Sequence, residues 1–397
     1  MNHLVLVLNC GSSSIKFALY TLDRDRKPTL SAGGKIERIG LSPRLAIRDA
    51  AGTVLIEREW PDERAMTHAE LLAWLFDWAT SHLEGREVLA VGHRVVHGGV
   101  DFAQSCLIDT IVLEELEKLC PLAPLHQPHN LAAIRAIAAL APDLPQVACF
   151  DTAFHHDRPA PATRFALPRA LHEQGIRRYG FHGLSYDYIA RRLAELDPSL
   201  AAGRVIAAHL GNGASLCAMS GGKSIDTTMG FTALDGLMMG TRCGSIDPGV
   251  ILHLQNRVGM SAADVEALLY KQSGLLGVSG ISSDMRELAA SDRPEAREAI
   301  DLFIWRAARE AGALASSLGG LDGLVFTAGI GENDAAIRAG ICERLAWLDI
   351  SLDERANAVH ADVISAPGSP ITVRVIPTDE ERMIVLQTLA TLFGVKT

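Results

Sequence analysis

Leu4-Val5-Leu6-Val7-Leu8-Asn9-Cys10-Gly11-Ser12-Ser13-Ser14-Ile15-Lys16-Phe17-Ala18-Leu19-Tyr20 stands near the start of the sequence. Leu4–Leu8 is a continuous apolar run of buried-strand length, Gly11 to Ser14 is a turn of small residues, and Ile15–Tyr20 reads as the returning strand. The same order comes back two hundred residues later: strand at Val205–Leu210, turn at Gly211-Asn212-Gly213-Ala214-Ser215, return at Leu216–Met219. Domains commonly hold roughly 100–200 residues, so a chain of 397 residues has room for two. The repeat predicts two similar α/β domains facing each other, with nucleotide between them.

Outward from these stretches the chain alternates strand and helix patterns. Arg44–Glu59 contains strand-like stretches, Ala69–His82 has helical spacing, and Val88–Val96 is a strand. Asn130 is the expected N-cap of a helix reaching Ala139, and Gln146–Phe150 is a short buried strand. Ser185 is the expected cap of a helix over Tyr186–Leu196, and Ser261 to Asp264 has capping-box spacing. Pro294–Leu318 reads as a long helix, Gly323–Thr327 and Val373–Ile376 as strands, and Arg382–Leu392 as the last helix.

Composition excludes several classes. Apolar residues make up 48% and charged residues 21%, as in ordinary globular proteins. A formal charge of −10 argues against broad nucleic-acid binding, so an anion site must gather its positive charge locally. Seven scattered cysteines without a C-x-x-C pair point to reduced thiols in a cytoplasmic protein. No run approaches the ~20 apolar residues of a membrane span, and the N-terminus lacks a signal-peptide layout.

Eight constellations carry chemistry. In Asn9-Cys10-Gly11-Ser12-Ser13-Ser14-Ile15-Lys16, a glycine, hydroxyls and a lysine suit a phosphate, though a Ser-rich hairpin turn has the same composition and the Walker spacing is absent. Gly92-His93-Arg94-Val95-Val96-His97-Gly98-Gly99 places an arginine able to fork onto a carboxylate or phosphate. His93 and His97 are four apart, but their Val and Gly neighbours favour packed or hydrogen-bonded histidines over metal ligands. Phe150-Asp151-Thr152-Ala153-Phe154-His155 puts a carboxylate at the end of a buried strand. Arg178-Tyr179-Gly180-Phe181-His182-Gly183 offers a histidine to a transferring group, or a core histidine. His209-Leu210-Gly211-Asn212-Gly213-Ala214-Ser215 is a second Gly-rich turn, and Met239-Gly240-Thr241-Arg242-Cys243-Gly244-Ser245-Ile246-Asp247-Pro248 a second arginine among small residues. Thr327-Ala328-Gly329-Ile330-Gly331-Glu332-Asn333 is a Gly-rich strand-to-helix turn. Thr378-Asp379-Glu380-Glu381 is either a water-mediated Mg²⁺ site or a solvated helix start.

Together and in this order, along with Leu122-Ala123-Pro124-Leu125-His126 and Ser282-Ser283-Asp284-Met285-Arg286, these motifs resemble the acetate kinase family over essentially the whole chain. The resemblance implies the acetate and sugar kinase, heat-shock chaperone and actin superfamily: α/β, two duplicated actin-like (ribonuclease H-like) ATPase domains facing a central cleft. It places one domain at 1–151 plus 380–397 and the other, binding nucleotide and making a homodimer, at 152–379. It implies ATP as co-substrate with Mg²⁺, Mn²⁺ being possible, and neither nucleic acid nor membrane as partner. By position, Asp151, His182, Arg94 and Arg242 would be catalytic, with His182 and Arg242 stabilising the transition state. Arg94, Val96, Leu125, Phe181 and Ala233 would hold acetate, with His126 near the transfer point. Ser12, Ser14, Lys16, His209, Leu210, Gly211, Asn212 and Gly213 would bind the phosphates of ATP. Asp284, Met285, Arg286, Gly329, Ile330, Gly331, Glu332 and Asn333 would bound its adenosine side. Asn9 and Glu380 would serve the metal.

Four positions depart from the family's usual pattern: Ala233 for Pro, Leu184 and Tyr186 for Thr and His, and Asp379 for Asn. Ala233 would leave space for a longer acid, and Tyr186 would either replace a hydrogen bond near His182 or leave that ring less firmly held.

The expected chemistry needs no base. A carboxylic acid of pKa ~4 is already an anion at pH 7. The difficulty is repulsion between two anions, which convergent cations relieve. The rival readings are a propionate kinase, a sugar or glycerol kinase using Asp151 as base, and a non-enzymatic actin-like nucleotide switch.

Overall fold

The computed structural model describes residues 3–11, 14–60, 66–81, 87–124 and 126–394; Ser12 and Leu125 of the candidate set lie outside the described residues. The chain divides into two compact units, Met1–Phe154 with Asp379–Thr397, and His155–Thr378.

The first unit holds β1 (His3–Cys10), β2 (Ile15–Leu22), β3 (Pro28–Glu37), β4 (Arg44–Asp49), β5 (Val54–Glu59), β6 (Glu87–Val95), β7 (Cys106–Leu107) and β8 (Gln146–Phe150). They form one sheet in the order β5-β4-β3-β2-β1-β6-β8-β7. β1 runs parallel to β6 and β6 to β8, while β1, β2 and β3 are joined antiparallel. Leu4, Leu6, Leu8 and Val91 point to one face, where they pack with Leu71 and Leu75 of the helix His68–Ser81 and with Ala133 and Ile137 of the helix Gln127–Leu140.

Gly92, one residue past Val91, points to the other face, as the period of two requires. There the helix Glu380–Phe393 lies against β1, β6 and β8. A Cβ at Gly92 would overlap Thr388 Oγ1 and sit 2.8 Å from Ile384 Cγ2. Gly92→Ala is therefore expected to cost about 1–3 kcal/mol of stability by overpacking. Urea unfolding measures it, and adding Thr388→Ala should recover part of the loss. An unchanged midpoint in the single variant would mean that the helix slides freely on the sheet.

The second unit holds β9 (Arg204–Leu210), β10 (Ala214–Ser220), β11 (Lys223–Thr227), β12 (Gly323–Thr327) and β13 (Thr372–Val375), ordered β11-β10-β9-β12-β13. β9, β10 and β11 are joined antiparallel; β9 and β12, and β12 and β13, run parallel. This repeats β3-β2-β1-β6-β8 strand for strand and sense for sense, so the two small-residue turns quoted above occupy equivalent places. β3 and β11 carry no strand signal in the sequence: β3 contains Gly33-Gly34, and a Cβ at Gly34 would collide with Phe17 and the Ala46 carbonyl. Close packing, not propensity, selects glycine there.

Helix ends follow local chemistry, with two differences from the sequence reading. The helix expected to begin at Asn130 begins at Gln127. Asn130 instead faces inward and bridges two strand ends, its Nδ2 donating to the Cys10 carbonyl at 2.6 Å and its Oδ1 accepting from Val96 N at 3.0 Å. The helix expected to be capped by Ser185 spans Gly183–Leu196, capped by the left-handed backbone of His182 (φ 58°); the Ser185 hydroxyl is spent on His209 Nδ1 and Thr378. The capping box at Ser261 and Asp264 is present, and the long helix spans Pro294–Leu318.

Candidate active site

In the first unit three parallel strands end side by side: β1 at Asn9-Cys10, β6 at Arg94-Val95 and β8 at Phe150, followed by Asp151. The carboxyl ends of parallel strands are where α/β sheets offer side chains to ligands. Arg94 lies two residues beyond Gly92 and so on the same face, beside the helix that Glu380 begins. Its Nε–H and Nη2–H fork onto Asp151, with Nη2 2.6 Å from Oδ2, and Nη1 donates to Asn9 Oδ1 at 3.0 Å. Asn9 Nδ2 in turn reaches Glu380 Oε2 at 3.4 Å.

Asp151 is buried, with Arg94 20% exposed and so still open on one side. Burial pushes the Asp151 carboxyl above its ordinary value while Arg94 pulls it back. For Arg94, burial disfavours the charge, but Asp151 and then Glu380 outweigh it and hold the guanidinium more basic than usual. A forked guanidinium–carboxylate contact of this length is an ion pair.

The floor beneath is polar and closed. Gln127 pairs with both the N–H and the carbonyl of His97, each at 3.1 Å, and Gly98 N donates to Thr152 Oγ1. His93 Nε2 meets Gln146 Oε1 at 2.8 Å, and burial lowers both His93 and His97 to about 4. The two histidines are neutral structural groups. Among the described residues no cluster of three or more His, Cys, Asp or Glu could hold a metal. Lys16 is the exposed cross-strand neighbour of Asn9 and Ser14 is half-buried in the turn before it. Glu381 is raised by burial and by Glu380, with Lys16 opposing.

The second unit builds its site on the equivalent strand end. His209 and Ser215 are cross-strand partners on β9 and β10, so they share a face. His182 stacks on His209 with ring centroids 4.2 Å apart, and its Nδ1 lies 2.8 Å from Ser215 Oγ. The strained turn that delivers His182 has identifiable causes. Gly180 has φ 82°, and a Cβ there would press the His155 ring and Thr227. His155 is buried, held at about 3 chiefly by that burial, and donates from Nε2 to the Phe181 carbonyl while Nδ1 meets Ser224.

Arg242 comes to the same place from the loop after β11. Its Nη1 donates to the Ala233 carbonyl at 2.6 Å. A Cβ built on Gly213 would lie 2.7 Å from Arg242 Nη2 and 3.3 Å from His182 Nε2. The structure thus brings His182, Arg242 and the Gly211-Asn212-Gly213 turn together, and only glycine at 213 leaves both donors their position. Arg178 and Ser245 both reach Asp235, which anchors the loop carrying Ala233 and Arg242.

Other candidates are placed as follows. Val96, Phe181 and Leu210 are buried and Ala233 is half-buried. His126 precedes the helix Gln127–Leu140. Asp284 caps the short helix Met285–Ala289 and is lowered to about 2 by its hydrogen bonds from Arg286; Met285 is buried. Gly329, Ile330, Gly331, Glu332 and Asn333 belong to the turn Ala328–Asn333 after β12, entered through Ala328 at φ 65°. Glu332 points inward and accepts from Ala328 N and Thr378 N, bracing the turn.

Sequence reasoning gave no role to Arg338. Its fully buried guanidinium donates to the carbonyls of Gly331 and Glu332 and to Asn357, fixing the same turn. Nothing local marks it, because the groups it joins are distant in sequence or are backbone. Ser215 was quoted within its motif; its alternation with His209 across the hairpin is the signal that finds it.

Comparisons with known proteins bear on the chain as a whole. A model of the acetokinase family matches residues 4–386. An acetate kinase of Rhodopseudomonas palustris is 54% identical, covering 97% of both chains. An acetate kinase of Rhizobium meliloti is 48% identical over 97% of this chain and 98% of its own. The crystal structure of Porphyromonas gingivalis acetate kinase superposes with a TM-score of 0.86 at 40% identity, covering 98% of this chain and 100% of that one. A propionate kinase from Francisella tularensis gives 0.89 at 39%, covering 97% and 98%. With duplicated α/β sheets and relatives this similar along nearly its whole length, the chain belongs to the acetokinase family.

Proposed function

We propose that this chain moves the γ-phosphoryl group of ATP to acetate, reversibly, giving acetyl phosphate and ADP. An acetate oxygen forms the new bond to phosphorus as the bond to the ADP oxygen breaks, and no proton need be removed from the acceptor. The observation that carries this reading is the meeting of Arg242 Nη2 and His182 Nε2 over Gly213. Two donors beside a Gly-rich turn suit the equatorial oxygens of a loose, charge-spread phosphoryl group. Arg94 serves the carboxylate and the phosphoryl in flight. Asp151 favours a carboxylate acceptor over a hydroxyl: committed to Arg94 by a forked ion pair, it is a positioning group and a poor base.

Glu380 offers a carboxylate beside Asn9, whose Nδ2 donates to Glu380 Oε2 while its Oδ1 accepts from Arg94. That set fits Mg²⁺, or Mn²⁺, held mostly by water and phosphate oxygens, and does not make a closed protein cage. When bound, the ion screens the β and γ oxygens. Ser12, Ser14, Lys16, His209, Leu210, Gly211, Asn212 and Gly213 serve the phosphates, and residues 284–286 and 329–333 the adenosine. The family resemblance supports a cytoplasmic homodimer; separately, among the described residues no helix is long and apolar enough to cross a membrane.

A hydroxamate assay across two-, three- and four-carbon acids tests the activity. Acyl phosphate from acetate is expected; none from any short acid would overturn the reading. Because Ala233 and Phe181 bound the acyl end, propionate should also react. Ala233→Pro should lower kcat/KM for propionate relative to acetate by roughly 10-fold or more, since one methylene in a tight pocket is worth about 1–3 kcal/mol. An unchanged ratio would remove Ala233 from the pocket.

A further inference from the structure

Behind His182 lies one of the residues at which this chain departs from the family's usual pattern. Tyr186, on the first turn of the helix Gly183–Leu196, is fully buried, and its hydroxyl is 2.6 Å from Ser215 Oγ. The same Ser215 oxygen is 2.8 Å from His182 Nδ1. We propose that Tyr186 is a positioning residue that, through Ser215, sets both the orientation and the tautomer of His182. The proposal rests on the reading of His182 as a donor to the transferring phosphoryl group.

Donor strength sets the direction of the relay. A phenol is a far stronger acid than a serine hydroxyl, so between the two oxygens the phenol donates. Burial keeps the phenol protonated, raising it well above its ordinary value, with Cys217 adding to this and the Ser215 hydrogen bond opposing. The Ser215 oxygen, having accepted from Tyr186, gives its own proton to His182 Nδ1. A neutral imidazole carries one N–H, so an accepting Nδ1 leaves the proton on Nε2. Nε2 is the atom beside Arg242 and Gly213. The buried relay therefore turns the N–H of His182 toward the place where phosphoryl oxygens must be held. His209 stacks on one face of the ring, and its Nδ1 is committed to Ser185. Together these contacts orient the His182 ring and favour the tautomer with its proton on Nε2.

The test uses the full-length protein with ¹⁵N-histidine labelling, its His182 signal assigned by loss in His182→Gln, and long-range ¹H–¹⁵N correlation. In the wild type without ligand, His182 is expected as the Nε2–H tautomer. Tyr186→Phe should populate the Nδ1–H form and lower kcat by about 10- to 100-fold, the range found where a metal-ligating histidine loses the partner behind it, with KM for ATP and acetate changing less than about twofold on that basis. Ser215→Ala, a small truncation that keeps the fold if Tyr186→Phe does not, should have the same two effects, and Ser215→Thr should restore both. A wild-type ring protonated on Nδ1, or a folded relay variant with unchanged tautomer and kcat, would overturn the proposal. The ring spectrum needs no substrate. An Nε2–H ring in a chain inactive toward every short acid would leave the relay standing and remove the kinase reading.

Discussion

Replacing Arg242 by alanine should cut kcat by at least about 10², while the protein stays folded. An arginine that clamps a phosphoryl group in flight is worth ~10³–10⁵ in rate elsewhere, because its interaction strengthens as charge spreads over the equatorial oxygens. Here Nη1 is anchored to the Ala233 carbonyl, which aims Nη2 across Gly213 beside His182 Nε2. The side chain sits on a loop and is half-buried, so its loss removes little packing. Lysine keeps the charge but not the fork, and cannot bond Ala233 while holding a second donor in place. Arg242→Lys should accordingly recover only part of the loss. Steady-state kinetics with a thermal unfolding scan decides the matter. Turnover near wild type in Arg242→Ala would remove the residue from the chemistry.

Arg94→Ala should cost as much in turnover, at least about 10² on the same reasoning, and also cost stability. Its partner Asp151 is 1% exposed and would be left as a buried carboxylate without its counter-charge. Breaking a buried pair from one side commonly costs about 3–5 kcal/mol. The pH dependence has a defined sign. Burial already pushes Asp151 upward, and Glu380 adds to this; removing Arg94 removes the opposing pull. The folded state then holds the Asp151 proton more tightly than the unfolded state does. That contribution is full below the unfolded pKa of ~3.9 and is lost as pH rises through the raised folded value. The variant should therefore close part of its stability gap to wild type when pH is lowered from neutral into the mildly acidic range. Adding Asp151→Asn should relieve the instability without restoring turnover. An Arg94→Ala protein as stable as wild type at every pH would show that Asp151 is not held by this pair, and unimpaired turnover would remove Arg94 from the chemistry.

Local sequence carried the skeleton of the molecule because its signals are local. Apolar runs ended by Gly or Ser gave β1, β2, β9 and β10, and period and caps gave the helix Pro294–Leu318 and the capping box at Ser261. Strands chosen by packing were not legible: β3 shows Gly33-Gly34, a breaker signal, because Phe17 and Ala46 need the space that a side chain would take. Asn130 and Ser185 were misread for the same reason. Each is a residue type that caps helices, and each is instead spent on a distant polar group, the ends of β1 and β6 for one and His209 for the other.

By itself the sequence determined the class of fold, the duplication, and which residues could carry charge to an anion, since periodicity, turn chemistry and residue type need no third dimension. Only the tertiary structure decided that Arg94 is forked onto Asp151, that Arg242 and His182 share the space above Gly213, and that Tyr186 reaches His182 through Ser215. Those pairings join residues from 29 to 60 positions apart. They follow from which strands lie side by side and which face each side chain takes, and both are settled by the packing of the whole sheet.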